Sequence, residues 1–389
     1  MPQFGDYQNA IYFAGLSGVI PDWPVDAATL RQRAQAAMSP SLLTYVEGGC
    51  GDEWTQDENA RAFRHWGMVP RMMVDTSHRD LSVTLFGRTL PSPLFMAPIG
   101  VTGMCTPDGH GDLAAARAAA ATGVPLCAST LANDPLEEVR AACAATPALF
   151  QLYTPRDPDL AASLVARAEA AGYAAIVVTL DTWLTGWRPR DLNVANFPQL
   201  RGHVLSNYCS DPAFCRLLAK PPHEDMRAAV ATWAATFGRV LTWKDVPWLR
   251  SLTRLPIVLK GICHPDDARR AIDEGADGIY VSNHGGRQAN GGIAAIDLLP
   301  VVAAAVDRRV PLLFDSGVRT GTDMVKAVAL GADLVGVGRP YSYGLALGGT
   351  AGCAHVLRSI LAEADLLTAV NGWPTLAAVR EAGATRTDR

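Results

Sequence analysis

Gly278-Ile279-Tyr280-Val281-Ser282-Asn283-His284-Gly285-Gly286-Arg287-Gln288 passes from an apolar run into a glycine-rich polar loop. Such a run reads as a buried strand whose last residues open into a tight turn. Histidine is the side chain most easily poised near neutral pH, and arginine presents a fork that matches a carboxylate. His284 and Arg287 therefore put a proton acceptor and an anion clamp on one loop. Alone, the stretch reads equally well as a solvated polar loop. Its meaning depends on what stands at the ends of the other strands.

The same strand-then-helix unit recurs on both sides. Strands are predicted over 94–98, 125–129, 148–152, 174–180, 256–260, 278–281, 311–314 and 333–337. Helices are predicted over 111–121, 136–145, 159–171, 265–274, 296–305 and 322–330, with a last helical region ending near Val370. Eight uniform units predict an α/β fold, a single (β/α)8 TIM barrel over 93–372, with an open doubly wound sheet as the alternative. Residues 1–92 read as an N-terminal helical extension. It holds a helix over 27–37, a second ended by Gly48-Gly49 with Tyr45 one turn inside, a third over 57–66, and a hairpin around Phe86-Gly87. Residues 183–243 form a long insertion after strand four, rich in Pro, Gly and Asn and read as irregular. At the catalytic face of a barrel such a segment is a lid or a wall. Residues 373–389 read as a C-terminal tail.

Composition narrows the class. With 389 residues, 49% hydrophobic, the chain can bury a large core, and a net charge of −4 without a basic cluster argues against nucleic acid. No apolar run of about 18 residues is apparent, so no membrane partner is expected. The segment beginning Met1-Pro2-Gln3 lacks a signal-peptide pattern, and eight cysteines without a C-x-x-C pair suggest free thiols in a cytoplasmic setting.

In a barrel, the C-terminal strand ends meet around one mouth. Here they are Ala97-Pro98-Ile99-Gly100, Ser129-Thr130, Gln151-Leu152-Tyr153, Thr179-Leu180-Asp181, Lys260-Gly261, Ser282-Asn283-His284, Asp315-Ser316-Gly317-Val318-Arg319 and Gly336-Val337-Gly338-Arg339. Each end alone is better read as a solvated loop or a satisfied cap. Gathered together they are not. Ends seven and eight offer backbone N–H groups and positive charge where barrels commonly hold a phosphate. With Lys260 nearby, they point to a phosphorylated cofactor. No spacing specific to a metal is present, and no G-x-G-x-x-G follows a strand.

These blocks, with the 282–288 loop, resemble the FMN-dependent 2-hydroxy acid oxidase family across nearly the whole chain, from about Tyr45 to Val370. Within it, Gly186-Trp187-Arg188-Pro189-Arg190-Asp191-Leu192, Asn196-Phe197-Pro198 and Gly338-Arg339-Pro340-Tyr341 are more similar to the lactate 2-monooxygenase branch. The resemblance implies FMN as cofactor, an L-2-hydroxy acid and O2 as reactants, and a homotetramer or homo-octamer.

It also implies roles. His284 would be the general base, paired with Asp181. Arg188 and Arg287 would clamp the substrate carboxylate, with a hydrogen bond from Tyr45, and Tyr153 would bond the substrate hydroxyl. Lys260 would stabilise negative charge on the reduced flavin. Ser129, Gln151 and Thr179 would hold the ring, and the backbone of Ala97, Pro98, Ile99 and Gly100 would approach it. Gly317, Arg319, Gly338 and Arg339 would take the phosphate, with Ser282 and Asp315 also assigned to the cofactor site. Two positions depart from the commoner family pattern. Leu131 stands where plant glycolate oxidases have tryptophan, and Gly100 where many members have alanine. The implied reaction is lactate and O2 to acetate, CO2 and water. The alternatives are an oxidase or dehydrogenase releasing the keto acid, a bulkier substrate such as mandelate, and a barrel that binds a phosphate ligand without redox chemistry.

Overall fold

Eight short strands, each buried along its whole length, close on themselves. They are β1 (Leu94–Met96), β2 (Leu126–Ser129), β3 (Ala148–Leu152), β4 (Ile176–Thr179), β5 (Ile257–Lys260), β6 (Gly278–Val281), β7 (Leu312–Phe314) and β8 (Leu334–Val337). Every neighbour pair is parallel, and β8 returns to β1 to complete the barrel. The computed structural model describes residues 3–387; Met1 and Pro2, which open the segment tested for a signal peptide, and Asp388 and Arg389 lie outside the described residues.

Side chains alternate across a strand, and this period of two builds the site. Phe95, Cys127, Leu149, Val177, Val258, Tyr280, Leu313 and Leu334 point inward as one apolar cluster. Phe95 and Tyr280 meet edge-on with ring centroids 5.6 Å apart, a geometry that adds about 0.5–1.5 kcal/mol to the burial itself. The hairpin Val83–Leu85 with Arg88–Leu90 joins this cluster through Leu85 and Leu90. Its turn residues Phe86 and Gly87 both take left-handed φ, 47° and 74°, which matches the twist of a two-residue hairpin loop. Two residues further along, the inward position turns polar on six of the eight strands, at Ser129, Gln151, Thr179, Lys260, Ser282 and Asp315, and is Ala97 and Gly336 on β1 and β8. The outward positions pack under the helices in a second, larger cluster.

Several expectations need correction. Residues 183–243 are not irregular: they carry helices Pro189–Asn193 and Met226–Thr236 and short turns between them. The longer helix is started by Asp225, whose side chain accepts from the Ala228 N–H, and it buries Ala229 and Trp233. The expected helix over 57–66 is instead Trp54–Arg61 followed by a 3-10 turn, with Trp66 in a strand. Residues 373–389 are more than a tail: helix Leu376–Ala382 is capped by Thr375, and Thr385–Arg386 pairs antiparallel with Trp66–Gly67. An unexpected helix, Asp6–Gly15, lies against helix Arg339–Val370, where the Tyr7 hydroxyl meets His355 Nδ1 at 2.8 Å. That 32-residue helix is also long and apolar enough, by length and composition, to cross a membrane. Over half of its most apolar window is buried, and it bends at Gly348 and Gly349 as it packs on the barrel helices.

Candidate active site

The loop after β6 is bent by three successive left-handed residues, His284 (φ 58°), Gly285 (63°) and Gly286 (75°). A non-glycine residue pays strain there, so the surroundings must impose it. Ser282 Oγ accepts the His284 N–H at 3.1 Å, and Ser316 Oγ accepts the Gly285 N–H at 3.0 Å. The N-terminal segment holds the loop from outside. A Cβ at Gly286 would lie 2.5 Å from the Gln56 backbone nitrogen, and Asn59 and Asn283 exchange side-chain hydrogen bonds at 2.8 Å.

This bend brings His284 Nδ1 to 2.9 Å from Asp181 Oδ1, at the end of β4. Burial pushes the imidazole below its ordinary 6.5; Asp181 pulls it up and Lys260 pushes it down, and the net shift is downward. His284 is therefore neutral at neutral pH, with a ring nitrogen able to take a proton. Burial works against ionisation of Asp181, but the His284 ring, Lys260 and the Thr182 hydroxyl hold its carboxyl well below the usual carboxylate range.

His284 opens onto one cavity at the barrel mouth, shared with Tyr45, Tyr153, Arg188, Lys260 and Arg287. Tyr45 lies between two guanidiniums, with Arg287 4.9 Å and Arg188 5.5 Å from its ring centre. Burial raises its phenol, but the Arg188 and Arg287 charges outweigh that, and its pKa falls below 10.0. Burial raises the Tyr153 phenol, which stays a donor. Arg188 is anchored by Nε to the Arg287 carbonyl at 3.0 Å and by a terminal nitrogen to Gln288 Oε1 at 2.7 Å. Its other terminal nitrogen is buried without a hydrogen-bond partner. Gly186 makes this approach possible, since a Cβ there would meet Cys50 Sγ at 2.5 Å and the Gln288 and Arg287 carbonyl oxygens at 2.7 and 2.8 Å.

Ala97, Pro98, Gly100, Asp315, Gly317, Arg319, Gly338 and Arg339 line the same cavity. Arg339 begins the helix after β8 and is held by the Val46 carbonyl at 2.9 Å and by Gln56. Burial, Arg287 and Arg319 together push its guanidinium down to about 9. Burial and Arg188 likewise push Arg287 down to about 10. Crowded cations of this kind are short of counter-charge, as a site built to receive anions should be. The remaining expected residues lie beneath the cavity. Ser129 donates to Gln151 Oε1 at 3.0 Å, and Gln151 Nε2 donates to Thr179 Oγ1 at 2.9 Å. Ser282 donates to Asp315 at 2.6 Å, and Tyr280 donates to its other oxygen at 2.8 Å.

Gln199, Trp233 and Phe237 escaped the sequence reading, and Phe197 was quoted only as part of a motif. Phe197, Gln199, Trp233 and Phe237 come from the insertion and close the cavity. Their rings continue from Tyr45 to Tyr153, with successive centroids 6.4, 6.5, 5.0 and 5.4 Å apart. Asp191, buried beside the arginine pair with its carboxyl raised by burial, was quoted only as part of a motif.

A closed parallel barrel with a cation-rich mouth and a histidine hydrogen-bonded to a buried aspartate points to a class: enzymes that bind a phosphorylated cofactor and take a proton from an anionic substrate. Comparison with known proteins specifies it. The family model for FMN-dependent dehydrogenase matches residues 34–386. The chain is 40% identical over 359 residues to an L-lactate oxidase of Lysinibacillus sphaericus, covering 92% of each chain. It is also 40% identical over 365 residues to the FMN-dependent alpha-hydroxy acid dehydrogenase qulF of Penicillium citrinum, covering 92% of this chain and 90% of that one. Among solved structures, a soluble mutant of the membrane-associated (S)-mandelate dehydrogenase from Pseudomonas putida matches with TM-score 0.82 and 33% identity, over 93% of this chain and 99% of that one. The chain belongs to the FMN-dependent dehydrogenase family. It is an FMN-dependent oxidoreductase that oxidises 2-hydroxy acids.

The residues present fit that cofactor. Gly338 faces open space, with nothing within 4 Å of an added Cβ, next to the under-compensated Arg339. Gly317 and Arg319 would complete a seat for its phosphate, and the buried Lys260 borders the same cavity.

Proposed function

We propose that the enzyme oxidises L-lactate with O2 and keeps the keto acid in the site long enough to decarboxylate it, so that acetate, CO2 and water leave. FMN, held by Lys260 and the residues after β7 and β8, supplies the two-electron acceptor. Arg188 and Arg287 clamp the carboxylate, using the buried guanidinium nitrogen that now lacks a partner, and Tyr45 donates to the same group. Tyr153 bonds the substrate hydroxyl. His284 takes a proton from the substrate, and Asp181, ionised and 2.9 Å away, stabilises the imidazolium that results.

The observation that carries the oxidation step is His284, 2.9 Å from Asp181, facing the same cavity as the arginine pair. Retention of the product is supported by the insertion, whose aromatic residues wall the cavity, and by Gly100, whose missing Cβ lets Leu131 pack against the backbone on the cavity wall. The relatives named as L-lactate oxidases favour a second reading, in which keto acid and hydrogen peroxide leave separately. Incubation with L-lactate in air decides between them. Acetate formed one for one with O2 consumed supports decarboxylation within the site; pyruvate with stoichiometric free peroxide overturns it.

A further inference from the structure

We infer that Gln199 is a positioning residue for substrate binding: its amide donates to the Tyr45 hydroxyl and so leaves the phenolic proton for the substrate carboxylate. The inference rests on the proposed role of Tyr45. Gln199 sits in the 3-10 turn Pro198–Arg201 of the insertion, fully buried on the cavity wall. Its Nε2 lies 3.3 Å from the Tyr45 oxygen, and its Oε1 has no hydrogen-bond partner among the described residues. A buried amide with an orphaned acceptor costs stability, and an apolar side chain of the same shape would pack there without that cost. A purely structural role therefore explains Gln199 poorly.

The surroundings of Tyr45 give the amide its effect. Arg188 and Arg287 lie over its ring, the Tyr153 phenol shares the cavity, and Asp191 and Cys50 flank the two arginines. Gln199 Nε2 and both guanidiniums are donors. With its oxygen already accepting, the hydroxyl's own proton is left to an incoming anion. Gln199 thus determines which way a group that can both donate and accept will face.

Donation into the phenol oxygen also favours the phenolate, so Gln199 helps to hold the Tyr45 pKa below 10.0. The phenolate can no longer donate and repels a carboxylate, so substrate binding weakens as pH rises through that pKa. Removing the amide raises the Tyr45 pKa and moves this alkaline limb to higher pH.

The test uses the FMN-loaded enzyme with L-lactate as probe, comparing wild type, Q199L, Y45F and the double variant, with FMN content checked for each. Q199M takes the place of Q199L if the latter loses FMN. Expected are a KM raised about tenfold in Q199L with kcat little changed, a double variant no worse than Y45F, and an alkaline limb that moves up in Q199L and in Y45F is reduced to the loss of charge at Arg287, at about 10. Penalties that multiply in the double variant, or a limb that stays in place, overturn the inference. A limb that moves down overturns it too, since it shows the amide accepting from the phenol. If L-lactate, glycolate and L-mandelate all fail to bleach the wild-type flavin without oxygen, the functional reading falls and takes this inference with it.

Discussion

Asp181 and His284, 103 positions apart, meet through Oδ1 and Nδ1 at 2.9 Å, and the same Asp181 oxygen accepts from the Thr182 hydroxyl at 3.0 Å. The other carboxylate oxygen is buried without a hydrogen-bond partner among the described residues. This pairing fixes how the imidazole is turned, leaving the other ring nitrogen as its free proton-accepting position. It makes His284→Gln the most direct test of the base. The amide cannot take a proton, yet nothing in the phosphate seat changes. Flavin should stay bound while its anaerobic reduction by substrate slows by about 10²–10⁴-fold, measured by stopped-flow absorbance. Unchanged reduction would move the base elsewhere.

The pH dependence has a definite sign. His284 acts as base only when neutral, and its pKa lies below 6.5 because burial and Lys260 together outweigh Asp181. The reduction rate should be level above 6.5 and fall as pH drops through the His284 value. Asp181→Asn removes a group that raises that pKa, so the acid limb should move to lower pH while the plateau rate falls. A limb that moves to higher pH in this variant would contradict the pairing.

Gly100 and Leu131 both line the cavity and touch closely. A Cβ at Gly100 would lie 3.2 Å from Leu131 Cβ and 3.4 Å from its Cδ1. Under the proposed reaction, Gly100→Ala should press Leu131 towards the cavity and shift products from acetate towards pyruvate and peroxide. Adding Leu131→Ala should return part of the acetate. Product ratios measured by chromatography check both, and identical ratios across the three proteins would remove Gly100 from the account.

Gly186 joins the insertion to the loop after β6. Its Cβ position is closed by Cys50 Sγ and two carbonyl oxygens, all within 2.8 Å. Gly186→Ala should cost about 1–3 kcal/mol as overpacking and lower the melting temperature by several degrees. It should also raise KM, because Arg188 is anchored through the Arg287 carbonyl. A variant with wild-type Tm and KM would show that the contact yields easily.

The strand ends were legible because side-chain alternation is local. Once Gly278-Ile279-Tyr280-Val281 is read as a buried strand, Ser282 must face the mouth and His284 must follow on the loop. The same count placed Lys260 and Asp315, and the β6 bounds agree with the structure residue for residue. The hairpin at Phe86-Gly87 and the helix Ala27–Ala37 were equally local. Residues 183–243 were not. Turn-forming residues hid the capped helix Met226–Thr236, although Asp225 ahead of an alanine-rich run was a usable signal.

Sequence by itself therefore determined the barrel and the order of side chains around its mouth, and it named the candidates for base, clamp and phosphate seat, since each follows from a period of two or from a short motif. Tertiary structure alone decided what encloses them. Helix Trp54–Arg61 against Gly286, the aromatic wall of Phe197, Trp233 and Phe237, and the Gln199 amide on Tyr45 join segments far apart in the chain. The directions of the pKa shifts at His284, Tyr45 and Arg339 belong with them. Burial and opposing charges set those directions, and neither is defined until the chain has folded.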